Sequence, residues 1–418
     1  MPLVNMKDML QHAYRNGYAV GAFDLPSLDF LEAIVVAAES ARAPVILSLA
    51  ESHFNNFDFE LAMSAVETAA HRAVVPVAIH LDHGANSDSA VKAIRLGCNG
   101  VMVDTTHLSL GENLEITRAV VKMAHACGVA AEGKLGYVPD VEEEEAERPH
   151  GVVSYTTPAE AKGFVERTGV DFLEVSIGTV HGQMNAKHKF DWSRLKEINA
   201  ALGIPLVIRG GSGVTHEQFH KLITMGVAKI NYNTALSDIA GDSIRAAAKS
   251  RAGGYSTLLA GVRAAVSSEV ERCMRMWGSA GRAAEVVTQC RPWLNVERVV
   301  VYNASGLGGE RLRVMEESQR QLSAIPGVRE IQVGSVANKS TRYRHCWLIR
   351  FASTAVIESF NQHPVHVDFT DRLFRTAAAD SLTADYLVAS VEPDAIDFPF
   401  SCEVATPNTR PSLERVKI

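Results

Sequence analysis

The sequence has six cysteines and no closely spaced pair among them. They stand at Cys98, Cys127, Cys273, Cys290, Cys346 and Cys402. This spacing excludes a dense disulfide framework and favours free thiols in a reducing compartment. The chain also lacks an apolar run of the roughly 18 residues that a membrane span needs, and its N-terminus has no signal-like segment. We therefore expect a cytoplasmic protein with no membrane partner.

The chain also has fewer basic residues than acidic ones. The formal net charge is −7, and the dense charge run, residues 142–145, is acidic. A nucleic-acid partner is excluded on this ground, because such partners need a basic field. With 418 residues, 47% of them hydrophobic, the chain is long and apolar enough for two globular domains.

Up to about residue 285, short β-branched or apolar runs alternate with amphipathic stretches. The predicted strands are residues 19–23, 45–49, 77–81, 100–103, 129–132, 172–176, 206–209 and 229–232. Predicted helices between them include residues 28–41, 89–96, 114–126, 158–168 and 216–225. Eight strand-helix units within roughly 250 residues predict an α/β fold, a (β/α)8 TIM barrel. The alternative, an open doubly wound sheet, needs a reversal of strand order that no sequence feature indicates.

Polar side chains gather where the predicted strands end. They are Asp82 and His83 after the third strand, Glu132 and Lys134 at the fifth, His181 after the sixth, Arg209 at the seventh, and Asn231, Asn233 and Thr234 at the eighth. Barrel enzymes build their sites on this face, and the loops after strands seven and eight often hold phosphate. An acid such as Asp82 can move a hydroxyl proton while a nearby cation stabilises an enolate.

Several segments, in order, resemble the class II fructose-bisphosphate/tagatose-bisphosphate aldolases. They are GAFDLPSLDFLEAIVVAAE, PVAIHLDHG, VMVDTTHLSLGENLEITRAVVKMAHACGV, IGTVHG, IRGGSGV, GVAKINYNTAL and MRMWGSAGRA. The resemblance implies a small phosphosugar substrate, Asp82 as the proton-transfer group, and His83 and His181 as zinc ligands. It also implies that Gly182 and its neighbours help to hold a monovalent cation and phosphate. The implied phosphate-binding residues are Gly210, Gly211, Ser212, Asn231, Asn233 and Thr234.

Two departures from the family pattern concern the metal. Arg209 stands where the family has its third zinc-binding histidine, and arginine has no lone pair to donate. Lys134 replaces the second carboxylate of the family's Glu-x-Glu strand. Electrostatic repulsion between a divalent ion and two fixed cations about 4 to 6 Å away costs at least a few kcal/mol. An ordinary zinc site therefore needs a compensating acid, for which Asp104, Glu132 and the 142–145 run are candidates.

Two further departures concern the substrate. Ser256 aligns with the family arginine that grips a second phosphate, which puts a bisphosphate substrate in doubt. In the loop after the fifth strand, Glu142 is either the counterpart of the family glutamate that aids proton transfer or part of a solvated acidic loop.

Three hypotheses follow. The first is a lyase that binds zinc or another divalent metal through His83, His181 and one carboxylate, and acts on a ketose phosphate or a related hydroxy-ketone. The second is a metal-free lyase in which Arg209, with Lys134, polarises a carbonyl or holds a carboxylate; Lys134 as a Schiff base is a variant of it. The third is a non-catalytic barrel whose Arg209 and Lys134 hold an acidic ligand. The presence of Asp82, His83 and His181 favours catalysis. The two cations suggest an extra acidic group on the substrate.

The C-terminal part has a different pattern. Predicted strands at residues 296–302, 328–333, 346–351 and 384–388 and helices at 311–324 and 354–363 give the order β-α-β-β-α-β of a ferredoxin-like α+β sandwich. The segments AIPGVREIQVG, RFAS and FNQHPVHVDF resemble the Dabb family of stress-responsive α/β-barrel domains. Helix-end packing explains His363 and His366 better than metal binding.

Both resemblances imply oligomers, so we expect a homodimer or homotetramer, with a small-ligand role for the second domain as the alternative. The expected division is a barrel over residues 1–290, a Dabb-like domain over 295–392 and a tail over 393–418 that wraps a surface or a neighbouring subunit.

Overall fold

The computed structural model describes residues 3–55, 58–136, 155–178, 189–211, 213–250, 253–304, 308–338 and 340–388. Eight parallel strands close into a barrel, each paired with the next along the chain and the last with the first. They are β1 Val20–Asp24, β2 Val45–Ala50, β3 Val77–Gly84, β4 Gly100–Val103, β5 Ala130–Leu135, β6 Phe172–Val175, β7 Leu206–Ile208 and β8 Val227–Tyr232. Almost every residue of these strands is buried, because helices cover the outer face and side chains fill the interior. The predicted barrel is confirmed.

Helices surround the barrel. They are α1 Met6–Asn16, α2 Leu28–Ala41, α3 Phe59–Arg72, α4 Ser87–Leu96, α5 Leu110–Ala126, α6 Pro158–Thr168, α7 Trp192–Leu202, α8 His216–Thr224, α9 Thr234–Lys249, α10 Tyr255–Leu259, α11 Val262–Met276 and α12 Ala283–Gln289, with a 3-10 turn at Glu51–Asn55. Capping boxes begin α5, α6 and α8, where a Ser or Thr side chain and a Glu or Gln three residues on satisfy each other's backbone amides. Helix α1 lies outside the repeating strand-helix pattern and buries Met6, Met9 and Leu10.

A second, antiparallel sheet follows. Its strands are β9 Asn295–Ala304, β10 Val328–Ser335, β11 His345–Phe351 and β12 Ala378–Val388, in the order β10-β11-β9-β12. Its helices are α13 Gly308–Leu322, α14 Ala355–Gln362, α15 Pro364–Phe369 and the short α16 Arg375–Ala377, the last two joined by a π-helical turn at Thr370–Phe374. The first strand is central, which is the strand order of a ferredoxin-like sandwich and confirms the predicted fold.

Arg329, whose side chain is 9% exposed, is one of the residues that tie the sheet to the barrel. Both terminal nitrogens of Arg329, on β10, lie 2.6 Å from the carboxylate oxygens of Glu67 on α3. Arg329 also donates to the backbone oxygens of Arg95 and Leu96 at the end of α4. Burial alone would raise the pKa of Glu67, but hydrogen bonds with His71 and Arg329 hold it at about 2. None of the described helices has the length and apolar character needed to cross a membrane.

Candidate active site

Asp82 and Arg209 form the centre of the site. Asp82 lies near the end of β3, and Arg209 follows β7 directly. One terminal nitrogen of Arg209 lies 2.6 Å from each carboxylate oxygen of Asp82. Burial alone would raise the pKa of Asp82, but the guanidinium overrides it and holds the pKa well below its ordinary value. Asp82 is therefore an unprotonated carboxylate, and the acids around Arg209 keep that side chain protonated.

Glu174 is the second acid bound to Arg209. It lies on β6, fully buried, with its oxygens 3.3 and 3.4 Å from the Arg209 Nε. The same carboxylate lies 3.7 Å from Lys134 Nζ, and Asn231 donates to it through Nδ2 at 3.1 Å. The pKa of Glu174 is lowered because these cations outweigh its burial. Glu174 thus bridges the two cations that the sequence places in the site.

Lys134 and His83 meet at Asp104. Lys134 Nζ and His83 Nδ1 each lie 2.7 Å from the same oxygen of Asp104. The other oxygen accepts from the backbone amide and the hydroxyl of Thr106. Burial would raise the pKa of Asp104, and its bonds to His83 and Lys134 instead lower it strongly. His83 has a φ of 49°, in the left-handed region that non-glycine residues rarely adopt, so the fold holds this residue in a strained conformation.

A second group of ionisable side chains fills the barrel interior. Lys229 Nζ lies 2.8 Å from Glu132 Oε2, and His80 Nε2 lies 3.7 Å from the same oxygen. All three side chains have no exposed surface. Burial raises the pKa of Glu132 to about 7 although Lys229 opposes this, while burial and Lys229 hold the pKa of His80 well below its usual range. Glu132, expected as a compensating acid for a metal, is instead the partner of Lys229.

The structure brings together six residues of the predicted site, and four others lie outside the described residues. Those brought together are Asp82, His83, Asp104, Lys134, Arg209 and Asn231; those outside are Glu142, His181, Gly182 and Ser212. Gly210 adopts a φ of 80°, which turns the chain after Arg209. Gly211 packs close to Tyr232 and Phe219.

The remaining predicted phosphate ligands, Asn233 and Thr234, lie at the start of helix α9. Asn233 precedes α9 and accepts from the Ser237 hydroxyl at 3.2 Å, and Thr234 is the first residue of that helix. Sequence reasoning missed Glu174, Lys229, His80 and Asp24, which all lie buried on strands. The pKa of Asp24 is raised by burial and by the charge of Asp82.

The described residues alone do not form a zinc site, and His181, one of the expected ligands, lies outside them. Among those residues, no three His, Cys, Asp or Glu side chains converge in a way that could hold a metal ion. Two carboxylates are already bound by cations: Asp104, which contacts His83, by Lys134 at 2.7 Å, and Asp82, which precedes His83 in the chain, by Arg209 at 2.6 Å. A divalent ion there would have to displace these two cations or sit against them, which electrostatic repulsion opposes.

The sequence matches the family described as fructose-bisphosphate aldolase class-II over residues 4–282. The chain belongs to the class II fructose-bisphosphate aldolase family. Members of this family are carbon-carbon lyases that generally depend on a divalent metal ion and act on small sugar phosphates. A second match, to the Stress responsive A/B Barrel Domain, covers residues 306–388. Both resemblances inferred from the sequence are confirmed.

Individual relatives agree with this assignment. The fructose-bisphosphate aldolase of Staphylococcus epidermidis RP62A is 38% identical over 288 residues, which cover 68% of this chain and 100% of the relative. That of Geobacillus stearothermophilus is 37% identical over 290 residues, with the same coverage. Among solved structures, the YdjI aldolase from Escherichia coli K12 has a TM-score of 0.59 and 29% identity, covering 67% of this chain and 99% of that one.

Proposed function

We propose that this chain is a carbon-carbon lyase in which Arg209, and not a metal ion, supplies the positive charge at the substrate ketone. The observation that carries the proposal is the 2.6 Å contact between Arg209 and the carboxylate of Asp82. This contact places a permanent cation against the acid that the family resemblance assigns to proton transfer. The substrate class is a ketose phosphate or a related hydroxy-ketone.

The chemistry needs a base and an electron sink. Asp82 removes the proton of a hydroxyl group whose carbon forms one end of the bond that breaks. That carbon leaves as the carbonyl carbon of an aldehyde. The electron pair of the broken bond passes to the ketone, which becomes an enolate. Asp82 then returns its proton to the enolate carbon, which gives the second carbonyl product, and the reverse of this step removes the α-proton of that product. Arg209 donates hydrogen bonds to the enolate oxygen in a buried setting, where such donors are most effective. Lys134, fixed by Asp104, adds positive charge on the same side.

Arg209 also controls when Asp82 can act. While the guanidinium is bound to Asp82, it suppresses the basicity of that carboxylate. A substrate oxygen that takes up part of the hydrogen bonding of Arg209 weakens this contact, and the pKa of Asp82 then rises towards that of a useful base. Substrate binding therefore activates the base.

The remaining predicted contacts stay part of the proposal. Gly210, Gly211, Ser212, Asn233 and Thr234 would hold one phosphate. Glu142 would assist proton transfer from the loop after β5. A metal held by His83, His181 and one carboxylate is the competing form of the site, and a monovalent cation beside Gly182 is compatible with either form.

The test is solvent exchange at the enolate carbon. Dihydroxyacetone phosphate in deuterium oxide with excess chelator should lose its α-proton signal in the presence of the protein, as followed by proton NMR. Asp82→Asn should slow this exchange by about 10² to 10⁴-fold, the usual contribution of a general base. Exchange that requires an added divalent metal would overturn the role of Arg209. Absence of exchange with and without metal would overturn the lyase proposal.

We also propose a cytoplasmic homodimer or homotetramer. The described cysteines Cys98, Cys127, Cys273, Cys290 and Cys346 are all free, which supports a reducing compartment. Strand β12 exposes Leu382, Tyr386, Leu387 and Val388, which supports a surface that pairs with another copy. Light scattering coupled to size-exclusion chromatography tests the assembly, and a mass of about 45.3 kDa, that of one chain, would contradict it.

A further inference from the structure

Glu174 is the residue that fixes the charge available to a substrate. Its carboxylate has no exposed surface and contacts Arg209, Lys134 and Asn231 at 3.3, 3.7 and 3.1 Å. It lies in the middle of a strand whose other residues, Phe172, Leu173 and Val175, are apolar. A buried acid in such a strand is costly unless cations compensate it, so the acid and the two cations depend on one another.

In the part of the site that the structure describes, Arg209 and Lys134 each have two acid partners. Arg209 is shared between Asp82 and Glu174, and Lys134 is shared between Asp104 and Glu174. Three carboxylates thus face two cations. An arginine and a lysine without Glu174 would instead form a receptor for a carboxylate, since a planar guanidinium binds that group with two parallel hydrogen bonds.

We propose that Glu174 is a specificity-determining residue, which makes the site accept a neutral hydroxy-ketone end and reject a carboxylate next to the carbonyl. This replaces the extra acidic group that Arg209 and Lys134 suggest when the sequence is considered without Glu174. The inference rests on the proposed function for the identity of the substrate. A 2-oxo acid would bring a further negative charge next to Asp104 and the two buried carboxylates Asp82 and Glu174, and that repulsion is strong where water is excluded. A neutral ketone needs one hydrogen bond from Arg209 and displaces no acid.

The alternative is that Glu174 is a structural brace without influence on selectivity. If Glu174 is a brace, its substitution will change the stability of the protein and will change the affinity for all ligands by the same factor. A specificity residue changes the ratio of the affinities for a carboxylate and a neutral ligand. The ratio is therefore the measurement that separates the two roles.

The experiment is calorimetric titration of the full chain with pyruvate and with dihydroxyacetone. Both are ketones, but pyruvate alone carries a carboxylate and dihydroxyacetone alone carries hydroxyl groups, so the change of their affinity ratio in a variant reports on the carboxylate. In the wild type, dihydroxyacetone should bind more tightly than pyruvate. In Glu174→Gln, which keeps the shape of the side chain and removes its charge, the affinity ratio should shift towards pyruvate by at least about tenfold, or one decade of Kd. Glu132→Gln is the matched control, because Glu132 is equally buried but contacts Lys229 instead of Arg209. Its ratio should equal that of the wild type.

Two outcomes would overturn the inference. One is an unchanged ratio in a folded Glu174→Gln protein. The other is a wild type that binds pyruvate as tightly as dihydroxyacetone, a comparison that stands even if the variant does not fold. Binding requires no turnover, so the result is independent of the exchange assay. If the lyase proposal fails and this inference holds, the protein will not exchange the α-proton of dihydroxyacetone phosphate but will still bind dihydroxyacetone more tightly than pyruvate.

Discussion

Replacing Arg209 with methionine tests the buried charge network most severely. The substitution removes the guanidinium and keeps an unbranched side chain of similar reach. It leaves Asp82 and Glu174 without their shared partner, with side chains that are 0% and 1% exposed. Loss of one member of a buried ion pair costs about 3 to 5 kcal/mol. Because two carboxylates depend on Arg209, we expect the free energy of unfolding to fall by about 4 to 5 kcal/mol at neutral pH.

The sign of the pH dependence follows from Asp82. In the wild type its pKa is depressed, so its contribution to stability is present above the unfolded pKa of about 3.9 and is lost as the pH falls through the folded value. In Arg209→Met burial dominates and raises the pKa of Asp82. Stability is then lost as the pH rises through that raised value. The stability gap between the two proteins should therefore widen from pH 5 to pH 8.

Urea unfolding followed by tryptophan fluorescence measures this gap. Arg263→Met is the control, because Arg263 is 53% exposed and pairs with Asp29 and Glu32 at the surface. Such a pair contributes about 0 to 1 kcal/mol. A cost for Arg209→Met below about 1 kcal/mol at pH 7, equal to that of the control, would refute the reasoning. A gap that does not change with pH would do the same.

Three further predictions concern other parts of the fold. Glu132 has a folded pKa of about 7, above its ordinary value of 4.5, so its contribution is complete below pH 4.5 and is lost as the pH rises through 7. The wild type should lose about 3 kcal/mol of unfolding free energy through Glu132 between pH 4.5 and pH 7, and Glu132→Gln should lack this loss, as measured by urea unfolding. Arg329→Met should lower the free energy of unfolding by about 1 to 3 kcal/mol through loss of its bonds to Glu67, as measured by urea titration. Gly133→Ala should cost about 1 to 3 kcal/mol in the same assay, because its Cβ would lie 2.7 Å from Phe164.

Each of these predictions has an opposing result. A Glu132→Gln protein with an unchanged slope would show that the carboxyl keeps an ordinary pKa when folded. An Arg329→Met protein as stable as the wild type would show that the two domains do not depend on the Glu67 contact. A Gly133→Ala protein of full stability would show that the strand can shift away from α6 at no cost.

Much of the fold follows from local patterns. Strand β4 and helices α2 and α6 have the bounds that the sequence predicts, because each combines a clear apolar period with a cap or a turn. Helix α1 was missed, since it precedes the first strand and no repeat requires it. Strand β12 begins six residues earlier than its predicted start at residue 384, at Ala378, because pairing with β9 extends it through residues with little apolar alternation.

Part of the candidate site could be predicted from the sequence, but its buried acid Glu174 and the pairing of its charges could not. Asp82, His83, Lys134 and Arg209 stand at strand ends, where barrel geometry brings side chains together. Glu174 was missed because one acid within the short run Phe172–Val175 faces the barrel interior or the helices depending on a register that the sequence does not contain. The choice of Asp82 as the partner of Arg209 depends on the distance between β3 and β7, which only the closed barrel defines.

The most direct test of the metal-free site is the activity of the protein at known metal content. Protein dialysed against a chelator until elemental analysis finds well under one zinc per chain should exchange the α-proton of dihydroxyacetone phosphate at the rate of the untreated protein. Arg209→Met, treated in the same way, should lose this activity. An exchange rate that falls in proportion to the zinc removed, and returns when one equivalent of zinc is added, would contradict the account.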